Sequence, residues 1–176
     1  MNAEDPIGIF DSGIGGLTVA HAINTSLPNE KLIYFGDTQH LPYGDKSIEK
    51  INTYSCKIAN FLSNKNCKAI IIACNSASSV AFQKIKYNLQ NKCLIFNVID
   101  PVINEVINDY SIKKIGVIGT NATINSNVYE TKIGSIRKDI QIISKATPLL
   151  ANLIEENNKE LYKKGIIESY LLDESL

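Results

Sequence analysis

Six short apolar runs, each separated from the next by a segment with helical spacing, constrain this chain more than any other feature. The runs are Ile7 to Phe10, Leu32 to Phe35, Ala69 to Ala73, Leu94 to Ile99, Ile115 to Ile118 and Ile140 to Ile143. They are continuous rather than alternating, the pattern of strands covered on both faces. Helical segments are expected at about Leu17 to Leu27, Ala77 to Leu89, Val102 to Asp109, Ile124 to Ile136 and Pro148 to Lys164. The clearest helix carries Ile48, Ile51, Ser55, Ile58 and Leu62 on one face, with Ser47 as its N-cap. Strand–helix alternation predicts an α/β fold, a mostly parallel sheet flanked by helices, with ligands beyond the carboxyl ends of the strands.

Ile7-Gly8-Ile9 opens one such series and Ile115-Gly116-Val117 opens another, 108 residues later. Each is followed by a polar turn, DSGIGG in the first and GTNAT in the second. IG[IV] is also common in buried strands, so the repeat alone is a weak signal. A true repeat places a boundary near Asp100-Pro101 and leaves the second unit incomplete, with 68 positions present.

The 176 residues are 44% apolar, enough for a real core, and 18 basic residues balance 18 acidic ones. With no net charge, scattered lysines and no Trp, a nucleic-acid groove is not expected. No stretch approaches the roughly 20 apolar residues of a spanning helix, and MNAEDPIGIF does not read as a signal peptide. The reading is a soluble, cytoplasmic protein with free thiols at Cys56, Cys67, Cys74 and Cys93 and no membrane partner.

Four polar turns follow expected strands: Asp11 to Gly16, Gly36-Asp37 with Pro42-Tyr43-Gly44, Cys74-Asn75-Ser76, and Gly119 to Thr123. Cys74 is the sharpest residue. It ends an aliphatic strand and precedes a helix, whose positive end favours the thiolate. The other three cysteines lack polar surroundings and read as structural. Asn75, Ser76, Ser12, Thr120 and Thr123 suit a carboxylate or ammonium ligand. The glycine turn could also cradle phosphate with Asp37 on a ribose, but position 18 is Thr and Asp11 would repel the anion. His21 and His40 read as surface residues without metal partners.

IGIFDSGIGGLTV, YFGDTQHLPYG, IIIACNSAS and IGVIGTNATINSNVYE resemble, in order and spacing, the signature blocks of bacterial glutamate racemase, over about Ile7 to Glu156. The resemblance implies two pseudo-symmetric αβα domains of the Asp/Glu racemase type: a first over 1–99 carrying Cys74 and an incomplete second over 100–176. It implies interconversion of L- and D-glutamate without cofactor, metal or pyridoxal phosphate, supplying D-glutamate for peptidoglycan and hence for cell wall and cell shape. Two cysteines flank the substrate α-carbon in that family. Carried over by motif, Cys74 is the first of them, assisted by Asp11, while Glu155 matches a carboxylate assisting the second. Asp11, Ser12, Pro42, Tyr43, Gly44, Asn75, Ser76 and Thr123 would line the substrate pocket. No metal site is implied, and a homodimer is compatible.

Departures from the family pattern are Ser76 for Thr, Gln39-His40 for Ala-Arg, and Ala151-Asn152 for an apolar-Pro pair. The second cysteine block is absent; the repeat offset puts it near position 182, past Leu176. A chain cut there is expected to lack racemase activity by itself and to expose apolar sheet edges. The competing readings are an aspartate racemase relative, a non-catalytic amino-acid-binding fragment, and a nucleotide-binding domain.

Overall fold

The computed structural model describes residues 2–90 and 92–155. Four strands, β1 (Ile7–Asp11), β2 (Leu32–Gly36), β3 (Ala69–Ile72) and β4 (Leu94–Asn97), form one sheet in the order β2-β1-β3-β4. Every pairing is parallel, with Phe10 opposite Phe35 on one side and Ile72 on the other. Helices α1 (Leu17–Ser26), α2 (Ile48–Asn64) and α3 (Asn75–Asn88) connect them. Two more strands, β5 (Lys114–Gly119) and β6 (Gln141–Ala146), pair in parallel as a separate sheet. Around them lie α4 (Ile99–Asn108), α5 (Asn121–Asn125), α6 (Val128–Ile136) and α7 (Leu150–Glu155). The architecture is α/β with parallel sheets flanked by helices, as the apolar runs predict, and β5–α5/α6–β6 repeats the connectivity of β1–α1–β2.

The central strands are buried through their length: all five residues of β1 are enclosed. Ile9, Phe10, Ile70 and Ile72 have no exposed surface. The larger core cluster joins Phe10, Ile70 and Ile72 to Ile51, Ile58 and Leu62 of α2 and to Ala77, Ala81 and Ile85 of α3. A second cluster, with Ile7, Ile9 and Ala69, packs on Val19 and Ile23 of α1, so the sheet is covered on both faces. A third joins Ile99 and Ile103 of α4 to Ile133 of α6 and Ile140 before β6. Ile48, expected on the buried face of α2, is exposed in the first turn.

Two-sided burial does not extend to every strand. β5 alternates exposed and half-buried residues, and β4 also leaves Leu94 and Phe96 open. Ile118 and Ile143 share one face of the small sheet and are exposed among the described residues, while α4 and α6 pack against the other face through Ile115 and Ile142.

Several element ends differ from the pattern-based expectation, and three of them turn on a single residue. The fourth strand stops at Asn97 rather than Ile99. Asn97 Oδ1 accepts from the backbone N–H groups of Ile99 and Asp100, starting α4 with Pro101 in its first turn. Helix α3 begins at Asn75, before Ala77, with Cys74 as N-cap. The expected helix from Ile124 to Ile136 is broken at Asn127, whose φ of 52° is left-handed, a conformation that Asn tolerates. α7 begins at Leu150; the expected continuation to Lys164 lies outside the described residues.

Candidate active site

Strand order 2-1-3-4 puts the topological switch point between β1 and β3, whose connections leave in opposite directions. Ligands in open parallel sheets collect in the crevice beyond such a pair of strands. Asp11 closes β1, and Cys74 follows β3 by two residues. Because Phe10 is opposite Ile72, continuing the register brings Ser12 beside Cys74. Cys74 Sγ donates to Ser12 Oγ at 3.3 Å. The same sulfur accepts from the Ala77 N–H at 3.4 Å, capping α3.

The thiol is buried, 6% exposed, and belongs to the same core cluster as Tyr43. Burial and then the nearby Asp11 carboxylate push the Cys74 thiol up from its ordinary value, against the opposing pull of Ser12 and the Ala77 N–H. This corrects the expectation that the helix end yields a ready thiolate: one N–H at 3.4 Å does not outweigh desolvation. The resting group is a protonated thiol.

Asp11 is buried, and its Oδ2 accepts from Gly13 N at 3.2 Å and Gly16 N at 2.9 Å. Gly16 has to be glycine, since a Cβ there would stand 2.7 Å from Asp11 Cβ and 2.9 Å from Ala73 Cβ. Those two glycine N–H groups thus bind the chain's own carboxylate. Asp37 is likewise occupied by Tyr43 and His40. Both observations weigh against the nucleotide-binding reading.

On the β2 side, Tyr43 is buried and its hydroxyl donates to Asp37 at 2.6 Å. Burial first, then the Asp37 hydrogen bond and charge, hold the Tyr43 phenol far above its ordinary value, with a smaller contribution from Cys74. Pro42, joined to Leu41 by a cis bond, is exposed. Gly44 abuts α5: its carbonyl accepts from Ala122 N at 2.8 Å. Beside it, Asn121 Nδ2 donates to Asp45 at 2.9 Å.

The small sheet contributes a second polar end. Thr120 lies 108 residues after Ser12, at the same place in the repeat, and caps α5. Its Oγ1 is 2.8 Å from Ser76 Oγ and 3.1 Å from Thr123 Oγ1. Tyr129 Oη donates to Asn75 Oδ1 at 3.2 Å. At the carboxyl end of the small sheet opens a cavity of about 330 Å³, lined by Thr120, Thr123, Tyr129, Thr147 and Ile154 among others, with Asn75 reaching in from α3.

Cys74, Asp11, Ser12, Tyr43, Gly44, Asn75, Ser76 and Thr123 are thus gathered at the carboxyl ends of the strands or on the facing helix ends. Glu155 ends α7, and its side chain lies outside the described part. Cys56 lies in α2, Cys67 precedes β3, and Cys93 precedes β4 at the far end of the sheet. Among the described residues no group of three His, Cys, Asp or Glu side chains gathers to hold a metal. Nor is any described helix long and apolar enough to cross a membrane.

Sequence reasoning missed His40 and Tyr129. The first is not a bare surface residue: its Nδ1 is 2.8 Å from Asp37, and its ring stacks on Tyr54 at 4.0 Å. The signal for Tyr129 was its place six residues after Thr123, in the expected helix from Ile124 to Ile136 that breaks at Asn127.

The family model described as Asp/Glu/Hydantoin racemase matches residues 12–169. The chain belongs to this family. "Glutamate racemase 3" of Caldanaerobacter subterraneus subsp. tengcongensis is 42% identical over 165 residues, covering 93% of this chain and 59% of that relative. The crystal structure of glutamate racemase isoform RacE1 from Bacillus anthracis superposes with a TM-score of 0.86 at 34% identity, covering 96% of this chain and 62% of that one. Glutamate racemase from Francisella tularensis, solved in complex with D-glutamate, gives a TM-score of 0.85 at 37% identity, covering 98% and 66%. The chain spans about six tenths of the length of these racemases.

Proposed function

We propose that this chain contributes the first half-site of a cofactor-independent glutamate racemase, with Cys74 exchanging the substrate's α-proton. The two domains of that reading are 1–99 and 100–176. The enzyme would act in the cytoplasm and supply D-glutamate for peptidoglycan. The observation that carries the reading is a buried thiol at the switch point, hydrogen-bonded to Ser12, on a helix start whose Ser76 hydroxyl is bonded to the Thr120–Thr123 pair of the small sheet.

The chemistry follows from the environment. Burial and then the Asp11 carboxylate favour the protonated thiol. A bound substrate ammonium is a cation beside the sulfur, and an opposite charge at that range favours the thiolate. Hydroxyl and amide donors around the cleft would clamp the carboxylates and aim the C–H bond at sulfur. Inversion needs a second acid–base group on the opposite face, since one thiol reaches only one side of the carbon. Among the described residues, no other cysteine stands at the cleft.

A polypeptide of these 176 residues should therefore bind glutamate and exchange its α-proton for solvent deuterium without inverting it. Calorimetric titration with D- and L-glutamate, beside proton NMR in deuterium oxide, tests this. Cys74→Ala should bind glutamate but lose the exchange. Exchange that survives Cys74→Ala, or absence of glutamate binding, would overturn the reading. Aspartate titrated in parallel decides between the two amino-acid substrates.

A further inference from the structure

Behind the cleft wall, three side chains form a line that proton exchange does not use. The Asp37 side chain is 7% exposed, yet both carboxylate oxygens are engaged. Oδ2 accepts from the Tyr43 hydroxyl at 2.6 Å, and Oδ1 lies 2.8 Å from His40 Nδ1. Tyr43 is sealed off, at 1% exposed, whereas the His40 side chain is 33% exposed. The His40 ring lies flat on Tyr54 of α2, with centroids 4.0 Å apart and planes 19° apart. One wall of an adjoining cavity of about 250 Å³ carries Asp37, His40, Tyr54 and Lys57. The titratable and charged groups facing His40 are therefore Asp37 on its own loop and Tyr54 and Lys57 on α2.

We propose that His40 is a positioning residue: through Asp37 it fixes the Tyr43 phenol, and with it the Pro42–Gly44 turn that packs on Thr120. A carboxylate held at both oxygens cannot rotate without releasing one donor. A buried carboxylate oxygen left without its donor is costly, so the two bonds support each other. The phenol held on the other oxygen fixes the turn, and Gly44, the next residue, ties it to α5 through its carbonyl bond to Ala122 N at 2.8 Å. The effect on ligand rests on the glutamate reading; the line of bonds does not.

The test uses the 176-residue protein with ring-labelled tyrosine, the Tyr43 NMR signal being assigned by its absence in Tyr43→Phe. His40→Phe keeps a ring on Tyr54 but removes the donor, and should shift the Tyr43 signal. His40→Asn restores a donor and should return the signal to its position in the unaltered protein. By calorimetry, His40→Phe should weaken D-glutamate binding about 3- to 10-fold, the worth of one hydrogen bond, with His40→Asn recovering most of it. A Tyr43 signal unmoved by His40→Phe, or moved equally by His40→Asn, overturns the proposal, whether or not glutamate binds. A signal that moves with His40→Phe and returns with His40→Asn in a protein that binds no glutamate upholds the line and defeats the substrate reading alone.

Discussion

Replacing Gly44 by alanine should loosen the seam between the two sheets. A Cβ built there stands 2.7 Å from both Cβ and Cγ2 of Thr120. Carbon atoms rest at about 3.5–4.0 Å, so one wall has to retreat by about 1 Å. Thr120 is poorly placed to yield, because its Oγ1 is held by Ser76 at 2.8 Å and by Thr123 at 3.1 Å. Retreat of the Pro42–Gly44 turn instead stretches the bond from Ala122 N to the Gly44 carbonyl, now 2.8 Å. Overpacking costs about 1–3 kcal/mol and a lost hydrogen bond about 1, so a loss of roughly 2–3 kcal/mol is expected. For a chain of this size that is a fall in Tm of about 4–12 °C. Gly13→Ala, where nothing lies within 4 Å, is the matched control and should stay within about 0.5 kcal/mol. Thermal and urea unfolding monitored by circular dichroism measure both. Adding Thr120→Ser to Gly44→Ala removes one of the two opposing carbons, Cγ2, and keeps the hydroxyl bonds and the N-cap, so part of the stability should return. Equal Tm values for Gly44→Ala and Gly13→Ala would refute the close contact on which the reasoning depends.

Three further outcomes are expected. Alkylation of Cys74 by iodoacetamide should be slow at neutral pH; Asp11→Asn should speed it by removing a charge that raises the thiol, and Ser12→Ala should slow it further. Stability should fall as pH rises past about 8.5, since Cys56, Cys67, Cys74, Cys93 and Tyr43 all hold their protons more tightly folded than unfolded, and urea midpoints between pH 7 and 10 that stay flat would contradict this. Arg137→Lys should lower Tm more than Gly13→Ala does. The guanidinium forks onto Asp139 at 2.7 and 2.9 Å and donates to the carbonyls of Ile107, Asp109 and Ile112, which an ammonium cannot reproduce.

What was legible in the sequence follows the physics that writes it there. Strands covered on two faces, such as Ile7 to Phe10, announce themselves as unbroken apolar runs, and the turns that follow them mark the ligand end of the sheet. Element ends set by a single side chain do not announce themselves. Cys74 as a cap, Asn97 folding back on α4, and Asn127 in a left-handed turn all interrupt the periodicity by one residue's local bonding. Side chains joined across distant segments were hidden for the same reason. His40 needs Tyr54 from α2 to become a stacked, bonded ring, and the only arginine, Arg137, needs three carbonyls from residues 107 to 112. The direction of the Cys74 shift was misjudged because burial depth is a tertiary quantity.

Among the described residues, the second sheet is a two-stranded parallel pair beside a four-stranded one. Such a pair is marginal without support, and here the support is α4 and α6 on one face and the hydroxyl seam at Thr120. Amide hydrogen exchange should consequently register two tiers: slow exchange in β1 and β3, and faster, collective exchange in β5 and β6.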